Sequence, residues 1–296
     1  MLNTRIIDGD HDGPHLLIFG GIHGDEYEPM AAIRHLAEAL DPGQLRGRVT
    51  LVPVVNEPAF ERKQRTGPDE KDLARTFPGN PDGSITERIA AAANELIRQA
   101  DVFIDLHTGG LEMEVLPLSG YCLHPDAAVL ETQRRMAAAF NLPIIWGTSP
   151  HLDGRSLSAA RDALVPAIYT EWGGGGGCRQ RGVEEYSQGC LNVMAELGML
   201  DLPKPETRVA RVVEDTREDS GHMQLNYNAP AEGFFDAARQ LGDRIEVGDV
   251  LGRIRAPVGD VIATIVSAQR GILLVVRALP RVQQGDCLAV ILEPGE

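Results

Sequence analysis

A histidine and a glutamate follow the end of an apolar strand near the start of the chain. Residues 16–19 are apolar, Gly20 and Gly21 open a tight turn, and His23 and Glu26 follow three positions apart. Open α/β sheets bind ligands at the carboxyl ends of their strands. One imidazole and one carboxylate on such a loop can reach a single Zn²⁺. A surface histidine beside a helix-capping acid is the alternative.

A second apolar run, residues 102–106, ends at His107. Two histidines and one carboxylate leave a fourth zinc position open for water, which is the arrangement of catalytic zinc sites. Asp105, two residues earlier, shares a strand face with His107 and could accept a hydrogen bond from its imidazole. A structural aspartate elsewhere in the fold is the alternative.

A third apolar run ends in Glu171, and the five glycines 173–177 follow. A glycine run costs backbone entropy, so it favours a place where the backbone passes close to a ligand. A carboxylate there could take a proton from an attacking water and pass it to a leaving amine. A flexible loop with an incidental glutamate is the alternative.

Two stretches, residues 56–65 and 72–79, supply several cations in an otherwise acidic chain. An arginine beside zinc can stabilise the oxyanion of a tetrahedral intermediate. Another can pair with a substrate carboxylate through two hydrogen bonds. A solvated basic loop is the alternative.

Hydrophobic periodicity predicts the elements that must position these residues. The predicted strands are 16–19, 49–55, 102–106, 144–146 and 167–169, and the predicted helices are 29–40, 84–100, 126–140 and 182–199. Ser84 and Glu87 form the pattern of a capping box. Buried strands that alternate with helices indicate an α/β fold, with a mostly parallel mixed sheet and helices on both faces.

The pattern changes near residues 201–207, where two prolines mark a probable linker. Beyond it, short β-type runs separated by Gly-Asp pairs predict a small all-β, barrel-sandwich-like domain. We therefore expect an α/β catalytic domain at 1–203 and a β domain at 204–296. The β runs resemble a lipoyl or biotinyl carrier, but the chain has no lysine after Lys204 to carry the group, which excludes that function.

Composition excludes some classes of partner. The formal net charge of −15 argues against nucleic acid, and the N-terminal residues contain no apolar run long enough for a signal peptide or a membrane span. The four cysteines lie far apart without a C-x-x-C pair, which predicts reduced thiols and a cytoplasmic protein. Cys178, beside the glycine run, could alternatively line a pocket. The sequence leaves open whether the protein forms a homo-oligomer.

Taken together, the motifs resemble the succinylglutamate desuccinylase and aspartoacylase family, a branch of the zinc carboxypeptidase fold. The resemblance spans nearly the whole chain and rests on Gly-Gly-Ile-His-Gly-Asp-Glu, Asp-Leu-His-Thr, and Thr-Glu before the glycine run. It implies one zinc ion per chain, held by His23, Glu26 and His107. It also implies that Glu171 is the general base.

The same resemblance implies roles for the cationic stretch. Arg65 is expected to polarise the scissile carbonyl, although Arg62 is near enough to compete for that role. Arg75 matches an arginine that grips a substrate carboxylate, and Asp72 is expected in the same substrate-binding segment. The family usually has Asp-Leu-Asn-Arg here, whereas this chain has Ala74 in place of the asparagine. This difference puts recognition of an ordinary N-acyl amino acid in doubt.

The leading hypothesis is a zinc-dependent deacylase that releases an acyl group from a small N-acylated amino acid or related amine, with a carboxylate-bearing small molecule as substrate. A metallocarboxypeptidase or a small-ester hydrolase could use the same residues. An inactive zinc-binding interaction module is the alternative from another class, and retention of Glu171 beside the three ligand residues argues against it.

Overall fold

The computed structural model describes residues 2–218, 220–221 and 227–294 and divides into two compact units. The first unit comprises Met1–Thr108, Pro117–Glu171 and Gly177–Ser220, and the second comprises Gly109–Leu116, Trp172–Gly176 and Gly221–Glu296. Within the described ranges, no helix is both long enough and apolar enough to cross a membrane.

The first unit is an α/β structure, and two of its strands, β5 and β7, continue into segments of the second unit. Its strands are β1 (Arg5–Asp8), β2 (His11–Phe19), β3 (Arg46–Val52), β4 (Val102–His107), β5 (Met113–Cys122), β6 (Ile144–Thr148), β7 (Ala167–Gly174) and β8 (Arg211–Glu214). Its helices are α1 (Tyr27–Ala39), α2 (Glu57–Arg62), α3 (Ile85–Arg98), α4 (Ala127–Phe140), α5 (Ser156–Asp162) and α6 (Gln180–Glu196), with short 3₁₀ turns at Pro42–Gln44 and Leu73–Arg75.

The strands of this unit lie in the order β1-β3-β2-β4-β7-β5-β6-β8. Strand β2 runs parallel to β3 and β4, and β4 runs parallel to β7, whereas β1 is antiparallel to β3. Parallel strands end at the same edge of a sheet. The ends of β2, β4 and β7 therefore meet, and the register places His107 directly beside Glu171.

The sheet is buried on both faces. Leu17, Phe19 and Phe103 belong to a core cluster with residues of α3 and α5. Leu16 and Ile18 are equally inaccessible, and they point to the opposite face because side chains alternate along a strand. Helices α1, α4 and α6 pack on one another as a second group. The predicted mostly parallel sheet with two helical layers is confirmed.

Side chains cap the starts of α3 and α4, and the capping box of α3 was predicted from the sequence. Ser84 and Glu87 form a complete capping box at the start of α3. The Asp126 carboxylate accepts hydrogen bonds from the Ala128 and Val129 amides at the start of α4. Such caps satisfy backbone N–H groups that have no partner within the helix.

The second unit is built from β-strands. They are β9 (Gly233–Ala237), β10 (Arg244–Ile245), β11 (Val250–Arg255), β12 (Val261–Val266), β13 (Gly271–Arg277), β14 (Arg281–Val282) and β15 (Ala289–Leu292). One sheet has the order β12-β11-β9-β14. Strand β13 pairs with β10, with β15 and with Met113–Val115 at the start of β5. Phe235, Ile254 and Leu273 lie in the core of this unit.

The boundary between the units differs from the expected break after residue 203. Residues 204–220 belong to the first unit, because β8 adds to the edge of β6 as a parallel strand. Asn141 also holds this segment, since its side chain accepts from the Arg208 amide and donates to the Glu206 carbonyl. A separate β region is confirmed, but it also takes up two short segments from earlier in the chain.

Candidate active site

The loop after β2 carries His23 and Glu26 into the first unit's interior, where their exposed fractions are 3% and 1%. Gly21 adopts a positive φ of 62° at the turn, which favours glycine. A Cβ atom at Gly24 would lie 2.0 Å from the backbone carbonyl carbon of Ala59 in α2. The loop and α2 therefore pack backbone against backbone.

The three predicted ligand residues come together. The Nδ1 atom of His23 lies 2.7 Å from Oε1 of Glu26, and the Nδ1 atom of His107 lies 3.1 Å from Oε2 of Glu26. One ligand atom from each of the three residues lies within 4.8 Å of the others. This group could hold a metal ion, since all three donor types are zinc ligands.

An aspartate lies behind each histidine. Nε2 of His23 is 3.2 Å from Oδ1 of Asp72, and Nε2 of His107 is 3.1 Å from Oδ2 of Asp105. The Ser156 hydroxyl donates to the same oxygen of Asp105. A carboxylate on the outer imidazole nitrogen fixes the ring orientation and leaves Nδ1 facing Glu26.

The electrostatics follow from burial and from these pairs. Burial raises the pKa of Glu26, but the nearby His23 and His107 outweigh it and hold that pKa well below its usual range. Burial lowers the pKa of His107, and the carboxylates of Asp105 and Glu26 raise it well above its usual value. The cluster is thus strongly polar inside a largely apolar unit.

Glu171 behaves differently from Glu26. Burial is the largest cause that raises its pKa, to about 8; the positive charge of His107 opposes that rise, and the negative charge of Glu26 reinforces it. Its Oε2 atom is buried without a hydrogen-bond partner among the residues that the structure describes. A buried carboxylate with a pKa near neutrality can both accept and release a proton.

Arg65, rather than Arg62, reaches this cluster. Its Nη1 atom lies 3.4 Å from Nδ1 of His23 and 4.0 Å from Oε1 of Glu26. Its Nη2 atom donates to Asp72 at 3.0 Å, and its side chain is 34% exposed. The Arg62 guanidinium instead donates to the side chain of Gln64.

Asp72 is engaged by protein groups at both oxygens. Oδ1 faces His23 and accepts from the Ala74 amide at 2.9 Å, and Oδ2 accepts two hydrogen bonds from Arg65. Burial raises the pKa of Asp72, but His23 and Arg65 lower it far more. Asp72 thus contacts both His23 and Arg65, and its expected role in substrate binding stays a prediction.

Arg75 and Arg155 form a second cationic feature in this unit. Arg75 is exposed and donates to the Ala74 carbonyl at 2.8 Å. A Cβ atom at Gly154 would lie 3.2 Å from the Cα atom of Arg75, so the backbones before Arg155 and around Arg75 are in contact. Burial and the charge of Arg75 lower the pKa of Arg155 to about 10. Arg155 lies outside both cationic stretches of the sequence, and only the fold brings it here.

Three further contacts had no clear sequence signal. The Tyr186 hydroxyl in α6 donates to the backbone carbonyl of His107, and the Thr108 amide donates to Oε2 of Glu26 at 3.2 Å. Glu28, 2% exposed, accepts from the Arg179 amide at 3.1 Å just after the glycine run. Cys178 is exposed. These contacts fix the segments that carry His107, Glu26 and the end of the glycine run.

Comparison with known proteins identifies the family. Residues 12–197 match the succinylglutamate desuccinylase/aspartoacylase catalytic domain. The chain is 32% identical over 292 residues to the N-alpha-acetyl-L-2,4-diaminobutyric acid deacetylase of Halomonas elongata, an alignment that covers 95% of this chain and 83% of that protein.

Solved structures give the same result. The product-bound ectoine utilization protein EutE (DoeB) from Ruegeria pomeroyi superimposes with a TM-score of 0.88 at 28% identity, over 97% of this chain and 87% of that one. A succinylglutamate desuccinylase/aspartoacylase from Rhodobacter sphaeroides gives 0.87 at 29% identity, over 99% and 89%. The chain therefore belongs to the succinylglutamate desuccinylase/aspartoacylase family and is an enzyme of the deacylase type.

Proposed function

We propose that the protein hydrolyses the amide bond of a small N-acylated amino acid, with a zinc ion held by His23, Glu26 and His107. The observation that carries the proposal is the register of β4 and β7, which sets Glu171 directly beside His107. A buried carboxylate with an unpaired Oε2 among the described residues thus borders a group of three metal-ligand atoms.

The donor set fits zinc. Two imidazole nitrogens and one carboxylate make up the protein ligands of many catalytic zinc sites, in which the fourth position stays open. When bound, the ion would polarise the scissile carbonyl and acidify the attacking water.

The chain's own residues supply the remaining steps. Glu171 takes a proton from the attacking water and delivers it to the leaving amine, which its raised pKa suits. Arg65 is near enough to the cluster to stabilise the negative charge that develops on the carbonyl oxygen. Asp72 holds Arg65 in place through two hydrogen bonds.

The substrate carries a carboxylate in this proposal, and Arg75 and Arg155 are the groups that bind it. The charge of Arg75 lowers the pKa of Arg155, so an anion bound beside both guanidinium groups would stabilise their charged forms. The Halomonas elongata relative acts on an N-acetylated diamino acid, as its name states. N-acetyl-L-2,4-diaminobutyrate is therefore the first compound to test, before N-acetyl, N-succinyl and N-formyl derivatives of other amino acids.

The test is turnover of this panel, together with short peptides and small esters, by the zinc-loaded protein, followed by mass spectrometry. We expect amine release from an acyl amino acid, and a loss of about 10²- to 10⁴-fold in kcat for Glu171→Gln with bound zinc unchanged. Glu184→Gln, on the exposed side of α6, is the matched control and should keep full activity.

Other outcomes would replace the proposal. Trimming of peptides would indicate a metallocarboxypeptidase, and turnover of esters alone would indicate an esterase. Bound zinc without turnover of any compound would indicate a binding module. Full activity of Glu171→Gln would remove Glu171 from the reaction.

A further inference from the structure

Tyr169 and the candidate base, Glu171, lie on the same face of strand β7. Tyr169 precedes Glu171 by two residues in β7, so the two side chains point the same way. In the neighbouring strand, Asp105 lies directly beside Tyr169, as His107 lies beside Glu171. Tyr169 therefore belongs to the wall of the site, about 7 Å along the strand from the proposed base.

The fold makes room for this ring. A Cβ atom at Gly120 in β5 would lie 2.3–2.7 Å from three atoms of the Tyr169 ring and hydroxyl. A side chain at this position would collide with the phenol, so the glycine leaves the space that the ring occupies. Tyr169 is only half-buried, so part of its side chain is accessible to a bound ligand.

The positive charge near Tyr169 comes from Arg155. Ser156 donates to Asp105, the strand neighbour of Tyr169, and Arg155 directly precedes Ser156 in the chain. The Arg155 guanidinium lies near enough to the phenol for the charge of each group to shift the pKa of the other. Burial raises the pKa of Tyr169 and the charge of Glu171 raises it further, while Arg155 opposes the shift. The raised pKa keeps the phenol protonated, so it is a hydrogen-bond donor near Arg155.

We propose that Tyr169 is a specificity-determining residue whose hydroxyl donates a hydrogen bond to the substrate carboxylate bound by Arg155. This inference rests on the proposed function, since it needs a carboxylate-bearing acyl amino acid in the site. The hydroxyl recognises the carboxylate and takes no part in proton transfer, which is the task of Glu171.

The test compares two substrates in two proteins. The substrates are an N-acyl amino acid that the wild type turns over and its carboxamide, which lacks the anion. For Tyr169→Phe we expect KM for the carboxylate to rise about tenfold or more, as for the loss of a hydrogen bond to a charged group. We expect kcat to change little, and the carboxamide to be turned over equally by both proteins.

Tyr121→Phe is the matched control. It removes the same atom from a tyrosine whose hydroxyl donates to Glu214 at 2.7 Å in the same unit, and it should leave KM for the carboxylate unchanged. An equal loss for both substrates in Tyr169→Phe, or a loss in kcat alone, would overturn the proposal, because the hydroxyl would then act on the reaction itself.

Calorimetric binding separates this proposal from the proposed function. Zinc-loaded Glu171→Gln would be titrated with N-acetyl-L-2,4-diaminobutyrate and other acyl amino acids, with and without Tyr169→Phe. If the wild type turns over nothing but an acyl amino acid binds, and Tyr169→Phe weakens that binding about tenfold, the carboxylate contact holds and only the function fails. If no carboxylate compound binds, or if binding ignores Tyr169→Phe, the contact is wrong.

Discussion

His23 and His107 each present Nδ1 to Glu26 and Nε2 to an aspartate. The aspartates differ in their surroundings, because Asp72 also binds Arg65, whereas Asp105 also accepts from the buried hydroxyl of Ser156. A carboxylate on the outer nitrogen raises the basicity of an imidazole and fixes its orientation. Both aspartates should therefore contribute to metal affinity.

Asp105→Asn should weaken zinc binding by about 10- to 100-fold, because a neutral amide stabilises the imidazole less than a carboxylate does. The dissociation constant can be measured by competition with a chromophoric chelator. Asp101→Asn, exposed just before the same strand, should bind zinc as the wild type does. Wild-type affinity in Asp105→Asn would show that the 3.1 Å contact to His107 is unimportant for the metal.

The residues at strand ends could be predicted from sequence, and those around them could not. His23, His107 and Glu171 each follow an apolar run and precede glycines, so the pattern itself marks them. Their role as metal ligands and base stays a prediction. The contact between Arg155 and the region of Arg75 depends on how two distant loops pack, and no local pattern encodes such packing.

At the scale of elements, the side chain of Asp69 anchors the loop that contains Asp72. It does so by binding to the first residues of α3 and its cap. Asp69 accepts hydrogen bonds from the Ser84 hydroxyl at 2.6 Å and from the Thr86 hydroxyl and amide at 2.6 and 3.1 Å. Burial raises the pKa of Asp69, but these hydrogen bonds outweigh it and lower the pKa to about 2.

Asp69→Ala should lower the free energy of unfolding at pH 7 by about 1–2 kcal/mol, a modest value because Asp69 is partly exposed. A carboxyl whose pKa is lowered in the folded state stabilises the fold above its unfolded pKa of about 3.9. That contribution is lost as the pH falls through 2. Urea denaturation between pH 7 and pH 2 should show the difference between the two proteins shrink below pH 4, and a constant difference would contradict this account.

The contact between the ligand loop and α2 gives a second prediction for an element. Gly24→Ala places a methyl group within 2.0–2.3 Å of the Ala59 carbonyl and the Phe60 amide, so the loop or the helix must shift. We expect a loss of zinc affinity of at least tenfold, because ligand geometry is sensitive to displacement on this scale. Gly43→Ala, whose Cβ would meet nothing closer than 3.5 Å, should behave as the wild type in the same zinc competition.

Elements with strong local signals were predicted well. The helix predicted at 84–100 is observed as Ile85–Arg98. Its start was predictable because Ser84 and Glu87 form a capping-box pattern in the sequence. Strand β5 was missed, since Pro117 and Gly120 interrupt a run that otherwise favours a strand. Strand β8 was missed because it lies just after a proline-rich segment and forms only by adding to the edge of β6.

For the whole molecule, the candidate ligands come from two separate parts of the chain, so a bound metal should stabilise the folded state. Adding zinc to chelator-treated protein should raise the melting temperature, by an amount that grows with the logarithm of free zinc and corresponds to about 2.7 kcal/mol at a hundredfold excess over Kd. His23→Ala should remove most of this shift in a thermal denaturation experiment. A wild-type melting temperature that does not change when zinc is added would argue against a metal site within the fold.

Location and assembly remain predictions for the whole molecule. The cytoplasmic location expected from the sequence stays a prediction, and fractionation of the cells that produce the protein would test it. A homo-oligomer likewise stays a prediction, to be tested by light scattering.

In the second unit, strand β13 pairs with a segment that lies much earlier in the chain, the start of β5. Val115 at the start of β5 pairs with Val275 of β13, about 160 residues later. At ribosomal rates of about 5–20 residues per second, Val275 is synthesised roughly 10–30 seconds after Val115. The start of β5 can reach its final pairing with β13 only near the end of translation. A nascent chain truncated before β13 should therefore leave a strand edge open to chaperones, and the enzyme should mature late rather than domain by domain.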